Sequence, residues 1–204
     1  MARIAEVSTR EELRDAILDA TDRLLARYGY RKMTVEDIAA EVGIGKGTIY
    51  LHFSSKEAVV LSHVDRIVER LKERLMTIAR SEQSVATRLR EMLLTRILFR
   101  FDSIQHYSKS LNDLLIALRP GLLARRARHF DEEAQIFANV LNEGQMAGEL
   151  NFADTLTTAY ALLHATNGLL PYSLSTAELG AREDVEERAA AISDVLLQGL
   201  LSRQ

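Results

Sequence analysis

The side chains best suited to chemistry in this 204-residue chain lie in one short stretch, Gly45-Lys46-Gly47-Thr48-Ile49-Tyr50-Leu51-His52. If Ile49 and Phe53, four residues apart on a helix, point inward, a turn of about 100° per residue puts Gly47 and Leu51 on the opposite face, with Thr48 and Tyr50 beside them. Such a face suits a nucleic-acid groove. Gly47 lets backbone come close, Thr48 can bond a base edge or a phosphate, and Tyr50 carries a hydroxyl on a rigid ring. Leu51 wastes its contact with water there, a cost that a thymine methyl in the major groove would relieve. Lys46 and His52 flank the face, where phosphates would run. Lys56 opens the next helix and Thr34 the preceding one, and both helix starts favour an anion. Taken singly, Thr34, His52 and Lys56 read as an ordinary cap and ordinary polar surface. Tyr50 and Leu51 turned outward together are what that bland reading leaves unexplained.

The elements that must position this face are helices. Helix formers dominate nearly every window and only Pro120 and Pro171 interrupt them, so the chain is read as all-α, with about nine helices. A Thr9-x-x-Glu12 capping box predicts the start of a first helix with an apolar stripe of Leu13, Ile17, Leu24 and Tyr28, ended by Gly29. A second box, Thr34 to Asp37, opens a short helix to about Glu41. Three glycines within Gly43–Gly47 then separate it from a helix of about two turns ending near Phe53. Helix, tight turn and helix, with Ala39 at the crossing, Gly43 in the turn and Ile38, Val42, Ile44 and Ile49 as the wedge, are the parts of a helix-turn-helix. A long helix from Ser54 or Ser55 to about Arg80 follows. Further helices fit near 84–104, 108–118, 121–145, 152–170 and 182–202.

Composition narrows the function classes. Zero cysteines exclude disulfides, thiolate nucleophiles and cysteine-ligated metal sites. His52, His63, His106, His129 and His164 never recur at metal-pair spacing and form no HExxH run, so no metal or cofactor is expected. No apolar run reaches the roughly 18 residues of a bilayer span, and no export signal is read at the N-terminus, which predicts a cytoplasmic protein without a membrane partner. The net charge of −3 hides an uneven distribution: residues 23–56 carry six basic against three acidic side chains, and 131–204 three against twelve. One end is built to meet polyanion and the other is not.

The stretch Ile17 to Val60, ILDATDRLLARYGYRKMTVEDIAAEVGIGKGTIYLHFSSKEAVV, resembles the N-terminal DNA-binding domain of TetR/AcrR-family transcriptional regulators. The resemblance implies a DNA-binding domain over 1–54 and a helical ligand-binding and dimerisation domain over 55–204. It puts Thr34, Lys46, Thr48, Tyr50, His52 and Lys56 in DNA-contacting places, with Gly47 allowing close approach. Gly45 departs from the family's usual serine or threonine, so a hydroxyl cap is lost at that contact position.

For the remainder, the resemblance implies a bundle that senses a small molecule and pairs with a second copy. Val185, Ala189, Ile192, Leu196 and Leu200 on the last helix, with Leu156, Ala159, Leu163 and Leu170 on the helix before, form stripes suited to a four-helix dimer interface. Intramolecular core is the alternative for each of them. An effector pocket needs apolar walls and a few polar groups, and the candidates are Phe99, His106, Tyr107, Phe137, Tyr160, His164 and Asn167. The arginines around Arg96, Arg100 and Arg119–Arg128 would suit an anionic effector or a solvated face. The expected protein is therefore a homodimeric, effector-released repressor of a double-stranded, palindromic operator, and not an enzyme. The rival readings are a helical interaction module with degenerate DNA recognition, and an enzyme using the C-terminal pocket.

Overall fold

The computed structural model describes residues 2–105, 107, 111–170 and 178–202. Among these residues the chain is all-α: α1 (Ala2–Lys32), α2 (Val35–Val42), α3 (Lys46–His52), α4 (Lys56–Ala79), α5 (Val85–Gln105), α6 (Leu111–Ala117), α7 (Arg119–Met146), α8 (Thr155–Asn167) and α9 (Arg182–Gln198). One isolated antiparallel bridge joins Leu150 and Leu201.

Local chemistry accounts for most of the boundaries. Thr34 and Asp37 form the expected reciprocal capping box. Gly43 closes α2 in the left-handed region at φ 78°, ψ 31°, where a Cβ would be strained. Ser55 caps α4 by accepting from the Ala58 amide (3.0 Å), and Asp154 caps α8 by accepting from the Thr157 amide (2.7 Å). The first helix differs from expectation. It runs from Ala2, so Thr9 lies inside it and not at its start. Gly29 breaks it with a positive φ of 73° but an extended ψ of 168°, after which one more helical turn carries the chain to Lys32.

Two compact units are present. The first comprises Met1–Ile67 and His106–Ala124, the second Val68–Gln105 and Arg125–Gln204. The first unit thus holds, besides α1 to α3, the beginning of α4 and the segment around α6. Its core gathers Ile17, Leu18, Leu24 and Leu25 of α1, Ile38 of α2, Ile49 of α3, Val59 and Val60 of α4, and Leu114 and Leu118. Burying one such side chain contributes about 1.5–3 kcal/mol, enough to hold two very short helices that would not form alone. Tyr28, expected on the buried stripe, is exposed instead, beneath the Arg27 guanidinium. Leu25, one position round the helix wheel, takes the buried place.

The second unit packs α5 against α8 and α9 around Leu89, Met92, Leu93, Phe137, Leu141, Leu162 and Leu163, with a further cluster of Ile97, Phe101, Leu179, Val185 and Ala189.

Candidate nucleic-acid interface

The first unit presents α3 as an anchored, outward-facing helix. Ile49 is wholly buried and Phe53 nearly so, whereas Leu51 is 76% and Tyr50 46% exposed. Thr48 is half-buried, and Gly47 is exposed with open space where a Cβ would stand, which leaves the backbone approachable. Ala39 is buried at the α2 crossing. Gly45 occupies the N-cap of α3 and, having no side chain, makes no capping hydrogen bond.

The charged neighbours are not idle in the free protein. Lys46 is ion-paired with Glu36 of α2, and its ammonium lies 5.7 Å from the Tyr50 ring centre. Its hydrogen bond to Glu36 raises the lysine pKa and lowers that of the glutamate. A phosphate must therefore compete with Glu36 for Lys46. The Thr34 hydroxyl accepts from the Asp37 amide (3.1 Å) and donates to Asp37 Oδ2 (2.7 Å), holding the Asp37 carboxyl below its ordinary range. Lys56 donates to the Tyr30 carbonyl (2.9 Å) and the Met33 carbonyl (3.0 Å), with its ammonium 4.3 Å from the Tyr30 ring centre. Its visible work is to tether the end of α1 to the start of α4. The His52 pKa is lowered, first by partial burial and then by Arg10 and Arg14 of α1.

Residues 17–62 match the family model of bacterial regulatory proteins, tetR family. Over those residues the chain is similar to the DNA-binding segment of that family. Over 51 residues it is 47% identical to YerO of Bacillus subtilis, an HTH-type transcriptional regulator, covering 25% of this chain and 18% of that protein. It is 27% identical over 173 residues to the HTH-type transcriptional regulator TtgR of Pseudomonas putida, covering 78% and 79% of the two chains. The first curated relatives are thus matched over less than half their own length. A solved TetR/AcrR-family regulator from Thermobifida fusca superposes with a TM-score of 0.72 at 27% identity, over 95% of this chain and 100% of that one. A transcriptional regulator from Cytophaga hutchinsonii reaches 0.79 at 20% identity, over 92% and 98%, which bears on the fold alone.

The effector candidates of the sequence reading are spread over both units. Phe137 is wholly buried in the core of the second unit. Tyr107 belongs to the first unit: its hydroxyl donates to the Asp22 carboxylate and accepts from His63 Nε2 (2.8 Å). Burial, then the bond to Asp22, pushes the Tyr107 phenol well above its usual range. His106 lies outside the described residues. Phe99 is half-buried under the Arg74 guanidinium (4.7 Å).

Of the other three candidates, Tyr160 and His164 share Phe130 as a neighbour, and Asn167 bonds Arg96. Phe130 stacks on Tyr160 (5.8 Å between ring centres) and tilts against exposed His164 (4.8 Å), while the Tyr160 hydroxyl donates to Asp131 (2.8 Å). Asn167 Oδ1 accepts from Arg96 Nη2 (2.9 Å). Arg96 is itself buried, bonded through Nε to Glu133 Oε2 (2.6 Å), while Arg100 Nη2 holds Glu133 Oε1 (2.6 Å). Arg96 is therefore a core cation, while Arg100 stays partly exposed at the edge of the same pair. Glu133 carried no sequence signal, because its partners lie 33 and 37 residues away.

Of the expected dimer stripe, Ala159, Leu163, Val185 and Ala189 are buried within their own protomer. Leu170, Ile192, Leu196 and Leu200 are half-buried and Leu156 is 40% exposed. The outward faces of α8 and α9 include Ala161 and Ala165, on the side of α8 opposite the expected stripe, and Ala191 and Val195, about a third of a turn round α9 from it. Glu69, His129 and Glu132 come within metal-ligand distance of one another. Lys72 bonds both Glu69 (2.7 Å) and Glu132, placing an ammonium where a metal ion would sit.

Proposed function

We propose that the protein is a DNA-binding transcriptional repressor that acts in the cytoplasm as a homodimer and is released from a palindromic operator by a small molecule. Residues 1–54 are the reading head and 55–204 the effector-binding and dimerising part. The observation that carries the reading is Tyr50 and Leu51 facing solvent on a two-turn helix whose other face, Ile49, is locked in the core. An exposed leucine beside an exposed tyrosine costs solubility and gains contact only when a surface such as a base-pair edge covers them. Two such helices would enter successive major grooves about 34–36 Å apart. Lys46 leaves Glu36 for a phosphate, and His52 and Lys56 lie on the flanks. Ala161, Ala165, Ala191 and Val195 are small or apolar and outward, and supply the subunit contact.

An effector works by binding one spacing of the two heads better than the other. The aromatic group Phe130, Tyr160 and His164, beside the polar group Arg96, Glu133 and Asn167, has the mix of apolar wall and convergent polar atoms that ligand sites use. α4, whose residues are divided between the two compact units, is the element through which the effector acts.

Operator selection from random duplexes tests the reading. Lys46→Ala should weaken binding to every duplex and lower the salt slope by about 1, while Leu51→Ala should relax preference at one base pair. Equal affinity for selected and scrambled duplexes, or a monomer in solution, would refute it.

A further inference from the structure

We infer that α1 carries a second phosphate seat, formed by Arg10 and Arg14 together with His52 at the end of α3, which holds a backbone phosphate of the DNA beside the reading helix and takes up a proton as it does so. The inference rests on the DNA-binding reading and adds to it a site on α1, outside the helix-turn-helix. Arg10, Glu11, Arg14 and His52 line one recess of about 340 Å³ on the first unit. Arg10 and Arg14 are one helical turn apart and so share a face of α1. Arg14 is held towards the end of α3: its guanidinium lies 4.5 Å from the Phe53 ring centre and Nη2 donates to Ser62 Oγ (3.4 Å). His52 is the last residue of the same helix that turns Tyr50 and Leu51 outward.

The charge of the recess is unbalanced. Among the described residues two guanidiniums and an imidazole face one carboxylate, Glu11, so these walls are cationic even with His52 neutral. The two arginines push His52 towards its neutral form, in addition to the effect of burial. A phosphodiester oxygen entering the recess reverses the balance. Its negative charge accepts from the arginine forks and favours the imidazolium. By linkage, DNA binding then takes up a proton, and affinity rises as pH falls through the window between the free and bound pKa values of His52. Among the described residues Glu11 is the acidic group lining the recess.

The test uses the full-length protein and its selected operator duplex. Affinity is measured across salt concentration and across pH 6 to 8 for the wild type, Arg10→Ala, Arg14→Ala and His52→Gln. Each arginine variant should lower the salt slope by about 0.9, one phosphate contact's worth. The wild type should bind up to about tenfold more tightly per unit fall in pH within the window, and His52→Gln should lose that dependence. In a parallel NMR titration the His52 pKa should rise with duplex, and inorganic phosphate at the same phosphate concentration should leave it unmoved. Unchanged thermal midpoints identify the effects as binding effects, and Arg10, exposed and outside the core, is the variant least able to disturb folding.

Wild-type slopes in both arginine variants, a pH dependence retained in His52→Gln, or an equal rise with inorganic phosphate would each overturn the seat while leaving the operator reading intact. A wild type that binds no DNA would remove both.

Discussion

Replacing Glu133 should destabilise the second unit more than replacing the arginine it is bonded to. The carboxylate is fully buried and bridges two cations, with Oε2 on Arg96 Nε and Oε1 on Arg100 Nη2, each at 2.6 Å. Glu133→Gln therefore removes the negative charge that both guanidiniums share, one of them in a position only 1% exposed. Breaking a buried pair from one side costs about 3–5 kcal/mol, because an uncompensated charge remains in a medium that solvates it poorly. For a chain of this length each kcal/mol moves the thermal midpoint by about 2–4 °C, so a fall of about 6–20 °C is expected. Arg96→Leu should cost less, since Glu133 keeps Arg100. The double variant Arg96→Leu/Glu133→Leu should recover much of the Glu133→Gln loss, with Arg100, 30% exposed, free to turn outward. Equilibrium urea unfolding followed by circular dichroism reads all three. A Glu133→Gln loss below about 1 kcal/mol, or an Arg96→Leu loss as large as that of Glu133→Gln, would refute the bridging account.

Two further outcomes follow from local geometry. Gly144→Ala should destabilise by about 1–3 kcal/mol through overpacking, since a Cβ there would stand 2.7 Å from Leu150 Cδ1 and Val85 Cγ1, and Leu150→Ala should relieve part of that loss. Asp154, Glu132 and Asp194 have carboxyl pKa values held low by bonds to Thr157, Lys72 and Arg90 respectively. Their stabilisation is complete above the ordinary carboxylate range and is lost as pH falls through the lowered values. The thermal midpoint should therefore drop on acidification below about pH 4. Asp154→Asn, which keeps a capping acceptor but cannot titrate, should lessen that drop in thermal melts, and an unchanged pH profile would contradict the assignment.

The outward face of α3 was legible in sequence because everything that makes it is local. Thr34 and Asp37 are three residues apart, Gly43 needs only its own backbone, and Ile49 against Tyr50 and Leu51 follows from helical periodicity. The larger core could not be read in the same way. Periodicity says which residues share a helix face but not which face meets a neighbour, so Tyr28 is exposed where its stripe is otherwise buried, and Ala159, Leu163, Val185 and Ala189 pack within their own protomer. The partners of Glu133 and Tyr107, and the Glu132 that Lys72 bonds, lie tens of residues away in the chain, where no short-range pattern connects them.

By itself the sequence determined that the chain is helical, that a tight turn joins α2 to α3, and that α3 turns a polar and leucine-bearing face outward. Those outcomes depend on capping, glycine backbone freedom and a 3.6-residue repeat, all of which act within a few residues. Only the tertiary structure decided that Arg10 and Arg14 meet His52, that Arg96 and Arg100 share one buried carboxylate, and that Lys72 lies between two glutamates. Those placements depend on which helices pack together, and desolvation and charge act there through space, across chain separations at which sequence spacing carries no information.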